Sequence, residues 1–545
     1  MRIKRTFFLL LTMVFVLALV GPTAAQEGKI LNVIFTQEPD NLSPLYTTMW
    51  FSYNVADMFL SPPWFIDDNL SPSPVLVEEI PSADNGGVNE DGTVITLNLR
   101  DDLVWSDGEP MTSSDFVFTY DMWMAESNTP VSRFPYDEKI ASVEAPDEHT
   151  VVVTYNEPYA PWVTTLFHEG ILPEHVLRPV FEADGTLDNA DWNRAPTVAS
   201  GPFVFSEWEP AGFMQFTRNE NYFNGPVKLD GVFIRFVPDD ASQVAALVNG
   251  DGDIGAFIAY SDVPQLEDAG VDIITVNSGY NETWFFNFRP DLGHPALQDV
   301  NVRRALAMAF NRQQLADDLL LGLTRPPASF WEGSPYARPD TEPIPYDAEE
   351  AARLLDEAGW VDSNGDGTRD KDGTELVLRY VTTTREVRVN TQVVVQQAFQ
   401  ELGIGVELVN YEADQFFNSF GAGGPIATGD FDIAEWSTAP SGFPDPDDAS
   451  FLCSQIPSED NPEGGNWEGY CNEELDALFE EEQRTTDPDA RIDIFHQIDQ
   501  MLSDNVIILG VWYDPDLWAL SSRAVDTRIS GADPFWNSGN WDLSE

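Results

Sequence analysis

Basic residues are scarce in this chain. Against 92 aspartates and glutamates there are only 28 lysines and arginines, which gives a formal net charge of −64 at pH 7. Such a polyanion repels DNA, RNA and anionic lipid surfaces, so a nucleic-acid partner is excluded. The acidity is consistent with solubility, with a salt-rich habitat or with a cationic ligand, and composition leaves these three readings open.

Long hydrophobic runs are scarce as well. The longest covers residues 7–20, and its apolar length is too short for a comfortable membrane span. Basic residues precede it and small residues follow it, so residues 1–25 are predicted to be a signal peptide cleaved before Gln26. No cysteine lies near this cut, which excludes a bacterial lipoprotein anchor. The mature protein is therefore predicted to be exported and soluble, either periplasmic or extracellular.

The sequence has only two cysteines, Cys453 and Cys471. In an exported chain an even number favours a disulfide over the alternative of two buried thiols. The enclosed segment is rich in Pro, Gly and Asn. Closing a loop of this size stabilises the folded state by about 3 kcal/mol in the chain-entropy model.

Catalytic motifs are absent. The chain has no G-x-S-x-G elbow, no P-loop and no dinucleotide-binding glycine pattern. His168 and His175 are seven residues apart with Pro173 between them, which is not the spacing of a helical zinc site. The sequence therefore predicts neither an enzyme nor a required cofactor.

One segment resembles part of a calcium loop. Oxygen-bearing residues fill positions 1, 3, 5, 7 and 9 of an EF-type loop: Asp362, Asn364, Asp366, Thr368 and Asp370. Position 12 is Gly373 instead of the bidentate Glu, and a strand is predicted after it, so the segment is not an EF-hand. Two hypotheses stand: a structural calcium site, or a helix-to-strand connection built from Asx turns.

The pattern of the chain mixes short strands with amphipathic helices, which is typical of an α/β or α+β fold. Strands are predicted at residues 30–35 and 374–381, and a hairpin at residues 91–110. Four helices are predicted: one opened by a Thr112–Asp115 capping box, one running from residue 300 to Gly322, one with an apolar stripe at residues 346–360, and one capped by Asn472.

Tryptophans are frequent, and several lie in segments that resemble loops: Trp50, Trp105, Trp284, Trp331, Trp436 and Trp512. Any one tryptophan is expected to fill a core. As a set, loop aromatics in an exported protein also suit a cleft that stacks on sugar or peptide.

Five segments in register carry a family resemblance. They lie at residues 91–123, from Gly201, from Phe285, at residues 346–360 and from Gly469. The first contains LRDDLVWSDGEPMTSSDFV, which is similar to a signature of the family 5 extracellular solute-binding proteins of ABC importers, the oligopeptide- and dipeptide-binding group. The resemblance covers the whole mature chain.

This resemblance implies an α/β, two-lobed periplasmic-binding-protein fold of type II, in its three-domain variant, with mixed β-sheets and hinge closure. Domain I would comprise residues 26–68, 196–283 and 513–545. Domain II, residues 69–195, would be an inserted subdomain, and domain III, residues 284–512, would be the second lobe.

The implied function is the substrate-binding component of an ABC import system. A monomer would capture an oligopeptide in the interlobe cleft and deliver it to a membrane permease. One alternative is the same role for a cellobiose-like oligosaccharide, which stacking tryptophans would suit. A remote alternative is a secreted hydrolase that uses a carboxylate pair.

Site residues follow from the resemblance only in part. Peptide-binding relatives use a Trp-x-x-Asp stretch, whose Asp receives the peptide ammonium. Here Trp436 is kept, but Ala439 stands at the Asp position, so either Asp445 or Asp447 substitutes or the ligand carries no ammonium. The resemblance places five further residues near the cleft: Thr48, Met49, Trp50, Asn287 and Tyr513.

Overall fold

The computed structural model describes residues 28–440, Pro444, residues 450–462 and residues 464–544. The predicted signal peptide lies outside the described residues, and so do Asp445 and Asp447. Within the described part, no helix is both long and apolar enough to cross a membrane.

The first part of the chain, up to residue 200, opens with a largely buried strand. It covers the predicted residues 30–35, because their apolar side chains pack on both faces of a sheet. The strands of this part are β1 Ile30–Phe35, β2 Trp64–Ile66, β3 Pro72–Pro74, β4 Val94–Asn98, β5 Ile140–Asp147 and β6 Thr150–Tyr155. The helices are α1 Trp50–Phe59, α2 Ser113–Met124, α3 Trp162–Thr165 and α4 Glu174–Asp184.

The next part, up to residue 276, is mostly strand. It contains β7 Phe203–Glu209, β8 Phe213–Arg218, β9 Gly231–Phe236, β10 Ile254–Gly255 and β11 Asp272–Val276. Two helices, α5 Asp240–Val248 and α6 Val263–Asp268, lie between these strands in the chain.

The third part runs to residue 513 and is richer in helices. Its strands are β12 Asn281–Phe286, β13 Asp370–Lys371, β14 Thr374–Glu375, β15 Val377–Thr383, β16 Gly405–Tyr411, β17 Ile433–Thr438 and β18 Ile508–Tyr513. Its helices are α7 Val300–Met308, α8 Arg312–Leu319, α9 Ala348–Glu357, α10 Glu386–Glu401, α11 Ala413–Phe416, α12 Pro425–Thr428, α13 Glu473–Arg484 and α14 Pro488–Asp504. The chain then adds β19 Asp516–Leu520, β20 Ala524–Val525 and β21 Asp542–Leu543.

Two mixed sheets organise the described residues. The first has seven strands in the order β11-β19-β10-β1-β9-β8-β7, with β1 parallel to both its neighbours. The second has five strands in the order β16-β15-β17-β12-β18, parallel on the β15 side and antiparallel around β12. We call the regions built on these sheets the first lobe and the second lobe.

The chain passes between the two lobes twice, at residues 277–280 and at residues 514–515. These two crossings lie side by side, because the Asp514 backbone N–H donates to the Tyr280 carbonyl at 2.9 Å. The predicted domain boundaries at residues 283 and 512 fall inside β12 and β18. Since both strands belong to the second sheet, the crossings lie just outside them, at residues 277–280 and 514–515.

A third, antiparallel sheet, β4-β6-β5, lies in the segment predicted to be domain II. Its far end touches the end of α13 in the second lobe. The Ala160 backbone N–H donates to the Gln483 carbonyl at 2.8 Å, and Arg484 Nε lies 3.1 Å from Glu157 Oε2. We call these four residues the rim contact.

Local signals predicted several elements correctly. Helix α2 has the predicted capping box, in which the Thr112 N–H donates to Asp115 Oδ2 at 2.9 Å. Helix α9 buries Ala351, Leu354 and Leu355 along one stripe, and Asn472 caps α13. These helix predictions are confirmed.

Two local predictions are wrong. The predicted hairpin at residues 91–110 does not form, because β4 pairs with the distant β6, and residues 104–110 close only a small turn. The predicted helix from residue 300 to Gly322 is two helices. Asn311 separates them, because its side chain accepts from the Gln314 N–H and starts α8.

Candidate functional site

An aromatic cluster covers one face of the second sheet. Its centre is Trp436 of β17, which stacks on Phe285 of β12 with ring centroids 3.8 Å apart and planes 6° apart. Three more rings meet Trp436 edge-on at 5.4–6.3 Å: Phe416, Phe417 and Trp467. Trp436 is only 4% exposed, whereas Phe417 is 42% exposed and leaves an open apolar edge on the cluster.

In the sequence, Ala439 lies three residues after Trp436 and precedes the acids predicted to replace the missing aspartate. Asp445 and Asp447 lie outside the described residues, so their role stays a prediction. Ala439 itself is described and supplies no carboxylate.

The opposite face of the second sheet carries buried charge. Glu282 is completely buried and accepts from Arg388 Nε at 2.7 Å and from its terminal nitrogen Nη2 at 3.1 Å. Glu435 is buried beside it and accepts from Trp284 Nε1 at 3.1 Å. Burial, followed by the charge of Glu282, raises the pKa of Glu435 well above its usual value.

Asp514, at the second crossing, joins the two lobes through its side chain. Its carboxylate accepts from Ser437 Oγ of the second lobe at 2.8 Å and from Tyr260 Oη of the first lobe at 3.3 Å. Arg385, half exposed at the start of α10, lies 3.5 Å from the same carboxylate. One acid at the hinge is thus bonded to groups on both sides of it.

Asp516, two residues further, has an unusual carboxyl. It is 8% exposed, and burial, followed by the charge of Asp514, raises its pKa to about 7, although the Ser278 side chain opposes the shift. Burial raises the pKa values of three nearby tyrosines as well. The next largest cause is the charge of Asp514 for Tyr260, of Asp516 for Tyr280 and of Glu332 for Tyr513.

The loop before α1 and the first residue of that helix carry three of the predicted site residues. Thr48 is exposed, and Met49 and Trp50 are partly buried. The ring of Trp50 lies 4.3 Å from Phe257 and 5.7 Å from Trp518, between centroids. Because Phe257 is 40% exposed, this group forms an aromatic surface on the first lobe.

Asn287 and Tyr513 have structural contacts. Asn287 is completely buried, and its amide donates to the Gly429 and Phe431 carbonyls at 2.9 and 2.8 Å, so it holds the loop after β12. Tyr513 ends β18, and its hydroxyl donates to the Asn277 side chain at the first crossing. The structure does not bring these two residues together with Trp436 into one cluster, and their contact with a ligand stays a prediction.

Four of the loop-like tryptophans belong to cores. Trp105, Trp284, Trp331 and Trp512 are at most 1% exposed. The view that these four line a cleft is therefore corrected, because burial of a large ring outweighs the local loop signals. Of the set, only Trp50 and Trp436 lie in aromatic groups with an exposed edge.

The segment at residues 362–370 folds as a loop of side-chain-to-backbone bonds. Asp362 accepts from the Gly365 and Gly367 N–H groups at 2.6 and 3.1 Å, and Asp370 accepts from both the N–H and the hydroxyl of Ser363. These bonds are the Asx turns of a connector between α9 and the short β13. Among the described residues, no group of three or more His, Cys, Asp or Glu side chains is arranged to hold a metal ion. Calcium binding here stays a prediction.

The two histidines considered for zinc contact different carboxylates. His168 Nε2 is 3.1 Å from Asp533, and His175 Nε2 is 2.9 Å from Asp107. Each therefore has its own carboxylate partner.

Cys453 and Cys471 form a disulfide that closes the loop between them, with Cα atoms 4.6 Å apart. It joins the segment before α13 to the start of that helix.

Sequence reasoning missed the hinge residues Tyr260, Arg385 and Asp514. None stands in a motif, and they meet only because the crossings and the start of α10 converge in space. Only the order of strands along the chain could have indicated this meeting.

Two sheets joined by two adjacent crossings, with aromatic and charged groups gathered near the hinge, define a two-lobed binding protein. The chain belongs to the bacterial extracellular solute-binding proteins, family 5, because the model of that family's middle region matches residues 71–456, more than half of the chain. The fold is the predicted type II periplasmic-binding-protein fold.

Similarity to individual proteins extends over nearly the whole length. The oligopeptide-binding protein AppA of Bacillus subtilis is 27% identical over 538 residues, covering 95% of this chain and 92% of the relative. The solved structure of that AppA with a nonapeptide matches with a TM-score of 0.72 and 25% identity, over 95% of this chain and 99% of the other. The substrate-binding protein CtaP of Listeria monocytogenes has the same fold, with a TM-score of 0.79 and 24% identity over 95% and 100% of the two chains.

Proposed function

We propose that this protein captures an oligopeptide between its two lobes and delivers it to the membrane permease of an ABC importer. The observation that carries the proposal is the similarity to AppA over 95% of the chain, together with the matching structure in which AppA holds a nonapeptide. The protein acts as an exported monomer and performs no catalysis.

The geometry supports a ligand between the lobes. The aromatic cluster around Trp436 gives an apolar surface, and the hinge adds a half-exposed guanidinium at Arg385. Apolar walls with a few placed polar groups are what a peptide side chain and a peptide terminus require. Asp514 bonds to both lobes and suits a hinge that opens and closes.

In the sequence, residues 445–449 begin nine positions after Trp436 and contain three acids. We propose that Asp445 or Asp447 receives the peptide ammonium in place of the aspartate that Ala439 has replaced. Replacing each in turn with Asn, and comparing free with acetylated peptides, tests this assignment.

The test of the proposed function is a thermal-shift and calorimetric panel on the mature protein. The ligands are peptides of three to nine residues, with cellobiose-like oligosaccharides as the comparison. A peptide at 100 times its Kd is expected to add about 2.7 kcal/mol to the free energy of unfolding. Stabilisation by a saccharide and by no peptide would overturn the peptide assignment. The relatives named above support the peptide assignment, and none of them supports the saccharide alternative.

Catalysis is tested with the same peptides. Product release is followed by mass spectrometry over hours in the presence of excess protein. Intact peptide throughout is expected of a receptor, and multiple turnovers would restore the hydrolase alternative.

A further inference from the structure

A separate cavity of about 300 Å³ lies beside Trp50. One wall is α1, which presents Trp50, Tyr53 and Asp57. These three positions are spaced three and four residues apart and so share one face of the helix. The opposite walls are the loop that carries His168 and Glu169, and the loop around Asp533 near the carboxyl terminus.

The cavity contains more acids than bases. Three carboxyl groups line it, on Asp57, Glu169 and Asp533, against the single imidazole of His168. Asp533 and His168 are already paired at 3.1 Å, and Asp533 also accepts from the Ile66 N–H at 2.5 Å. Among the described residues, no lysine or arginine forms a salt bridge with Asp57 or Glu169. The cavity therefore holds two carboxyl groups, on Asp57 and Glu169, beyond the one that His168 pairs with.

Two buried polar atoms in these walls also lack a partner. Glu169 Oε2 and His168 Nδ1 are inaccessible to solvent and make no hydrogen bond within the described structure. Leaving a buried acceptor unpaired costs about 1–3 kcal/mol, and more for a charged group, so such atoms are rare without a ligand or a water.

Burial and mutual charge also shift the pKa values of the groups that line the cavity. Burial, followed by the charge of Asp533, raises the pKa of Asp57 well above its usual value, and burial raises the pKa of Glu169. Burial lowers the pKa of His168, but Asp533 and the other carboxylates outweigh it and bring that pKa to about 9. A bound cation would return both carboxyls towards their ionised forms.

The aromatic side chains complete the site. Trp50 and Tyr53 give π surfaces that attract a cation, especially one removed from water. Trp50 directly follows Thr48 and Met49, the loop predicted to meet the ligand, and it contacts the exposed Phe257. A side chain that enters the cavity can therefore belong to a ligand bound beside this loop.

We infer that this cavity is a subsite for the cationic side chain of the peptide ligand, a lysine ammonium or an arginine guanidinium, held by Glu169 and Asp57 against Trp50 and Tyr53. The inference rests on the proposed function and adds the chemistry of one ligand residue to it. A volume of about 300 Å³ is at the small end of ligand sites and suits one side chain better than a whole peptide.

The experiment uses the mature full-length protein and hexapeptides of alanine that carry a single lysine, scanned through the six positions. Matched peptides carry glutamine in place of lysine. At one position, lysine is expected to bind at least about tenfold more tightly than glutamine, because breaking a desolvated charge pair costs that much or more.

Two variants identify the cavity as the cause. Glu169→Gln is expected to abolish the preference for lysine over glutamine. Asp184→Asn removes an exposed acid at the end of α4 and is expected to keep the preference. Asp57→Asn, with the same expectation as Glu169→Gln, gives a second route if one variant folds poorly.

The outcomes separate this inference from the proposed function. Equal affinity for lysine and glutamine peptides at every position, or a preference that survives in Glu169→Gln, overturns the cationic subsite and leaves the peptide receptor standing. Failure of every peptide to bind overturns both.

Discussion

Trp436 is the residue around which the aromatic cluster of the second sheet is built. Replacing it with alanine removes the 3.8 Å stack on Phe285 and leaves a cavity beside three more rings. We expect Trp436→Ala to lower the free energy of unfolding by about 3–5 kcal/mol. It should also weaken peptide binding at least tenfold, as the loss of a central aromatic does.

Urea unfolding and calorimetry measure the two effects, with Trp436→Phe as the control that keeps a ring in the stack. A folded Ala variant with wild-type affinity for peptide would remove Trp436 from the binding site and leave it a core residue.

Asp516 predicts a pH dependence of stability. Because burial raises its pKa in the folded state to about 7, the folded protein favours the protonated form. The stability from this group is complete below the unfolded pKa of about 4 and is lost as pH rises through about 7. Asp516→Asn mimics the neutral carboxyl. We expect its free energy of unfolding to rise relative to that of the wild type as pH increases across this interval, by a few kcal/mol at most.

Melting curves at half-unit steps from pH 4 to 8 check this. Asp184→Asn is the matched control, since that acid is exposed. Parallel curves for wild type and Asp516→Asn would show that Asp516 is ionised in the folded protein throughout.

Among the helices and loops, the disulfide joins the start of α13 to the segment before it. We expect Cys453→Ser to lower the melting temperature, by an amount that corresponds to about 3 kcal/mol or less. Cys471→Ser should lose the same amount, and the double variant no more, since each change opens the same loop. Two thiols that react with an alkylating reagent in the exported wild-type protein would contradict the pairing.

The loop at residues 362–370 gives a second prediction at this scale. If it holds calcium, the ion raises the melting temperature, EGTA reverses the effect, and Asp362→Asn abolishes it. Magnesium at the same concentration is the control for ionic strength. A melting temperature that is the same with calcium and with EGTA would leave the loop as a connector held by its own hydrogen bonds.

These elements also show what local sequence can predict. The capping box at Thr112 and the Asn472 cap depend on bonds within a few residues, and both were predictable. The break at Asn311 was not, because the apolar pattern continues across it and only the cap in the folded chain separates α7 from α8. The partner strand of β4 lies more than fifty residues away in the sequence, since Val94 pairs with Thr154, for example. The nearby turn signals favoured a local hairpin instead, and that hairpin does not form.

For the molecule as a whole, the family resemblance gave the two-lobed fold, but little of the site. Trp50 and Trp436 lie in aromatic groups, while the amide of Asn287 is bonded within the loop after β12, and ligand contact by all three stays a prediction. The hinge carboxylate Asp514 and the cavity beside α1 arise from segments that are hundreds of residues apart, such as Asp57 and Asp533. No spacing rule along one sequence brings such residues together.

The rim contact joins the segment of the third sheet to the second lobe, far from the hinge in the chain. Glu157 and Arg484 are both about half exposed, so their pair contributes no more than about 1 kcal/mol. We expect Arg484→Glu to speed peptide dissociation up to about fivefold at low salt, because the closed form loses this contact.

The swap Glu157→Arg with Arg484→Glu should restore the slower rate, and high salt should erase all the differences. Stopped-flow fluorescence measures the peptide dissociation rates of the wild type, the single variant and the swap. An unchanged rate in the single variant would mean that the rim plays no part in retention.

The hydrogen bond between the two crossings limits how the lobes can move. Because the Asp514 N–H holds the Tyr280 carbonyl, the crossings behave as one ribbon and not as two independent threads. A single ribbon permits rotation about one axis and resists sliding or twisting of one lobe across the other. We therefore expect opening and closing to follow one main degree of freedom, so that relaxation after a jump in ligand concentration follows a single exponential.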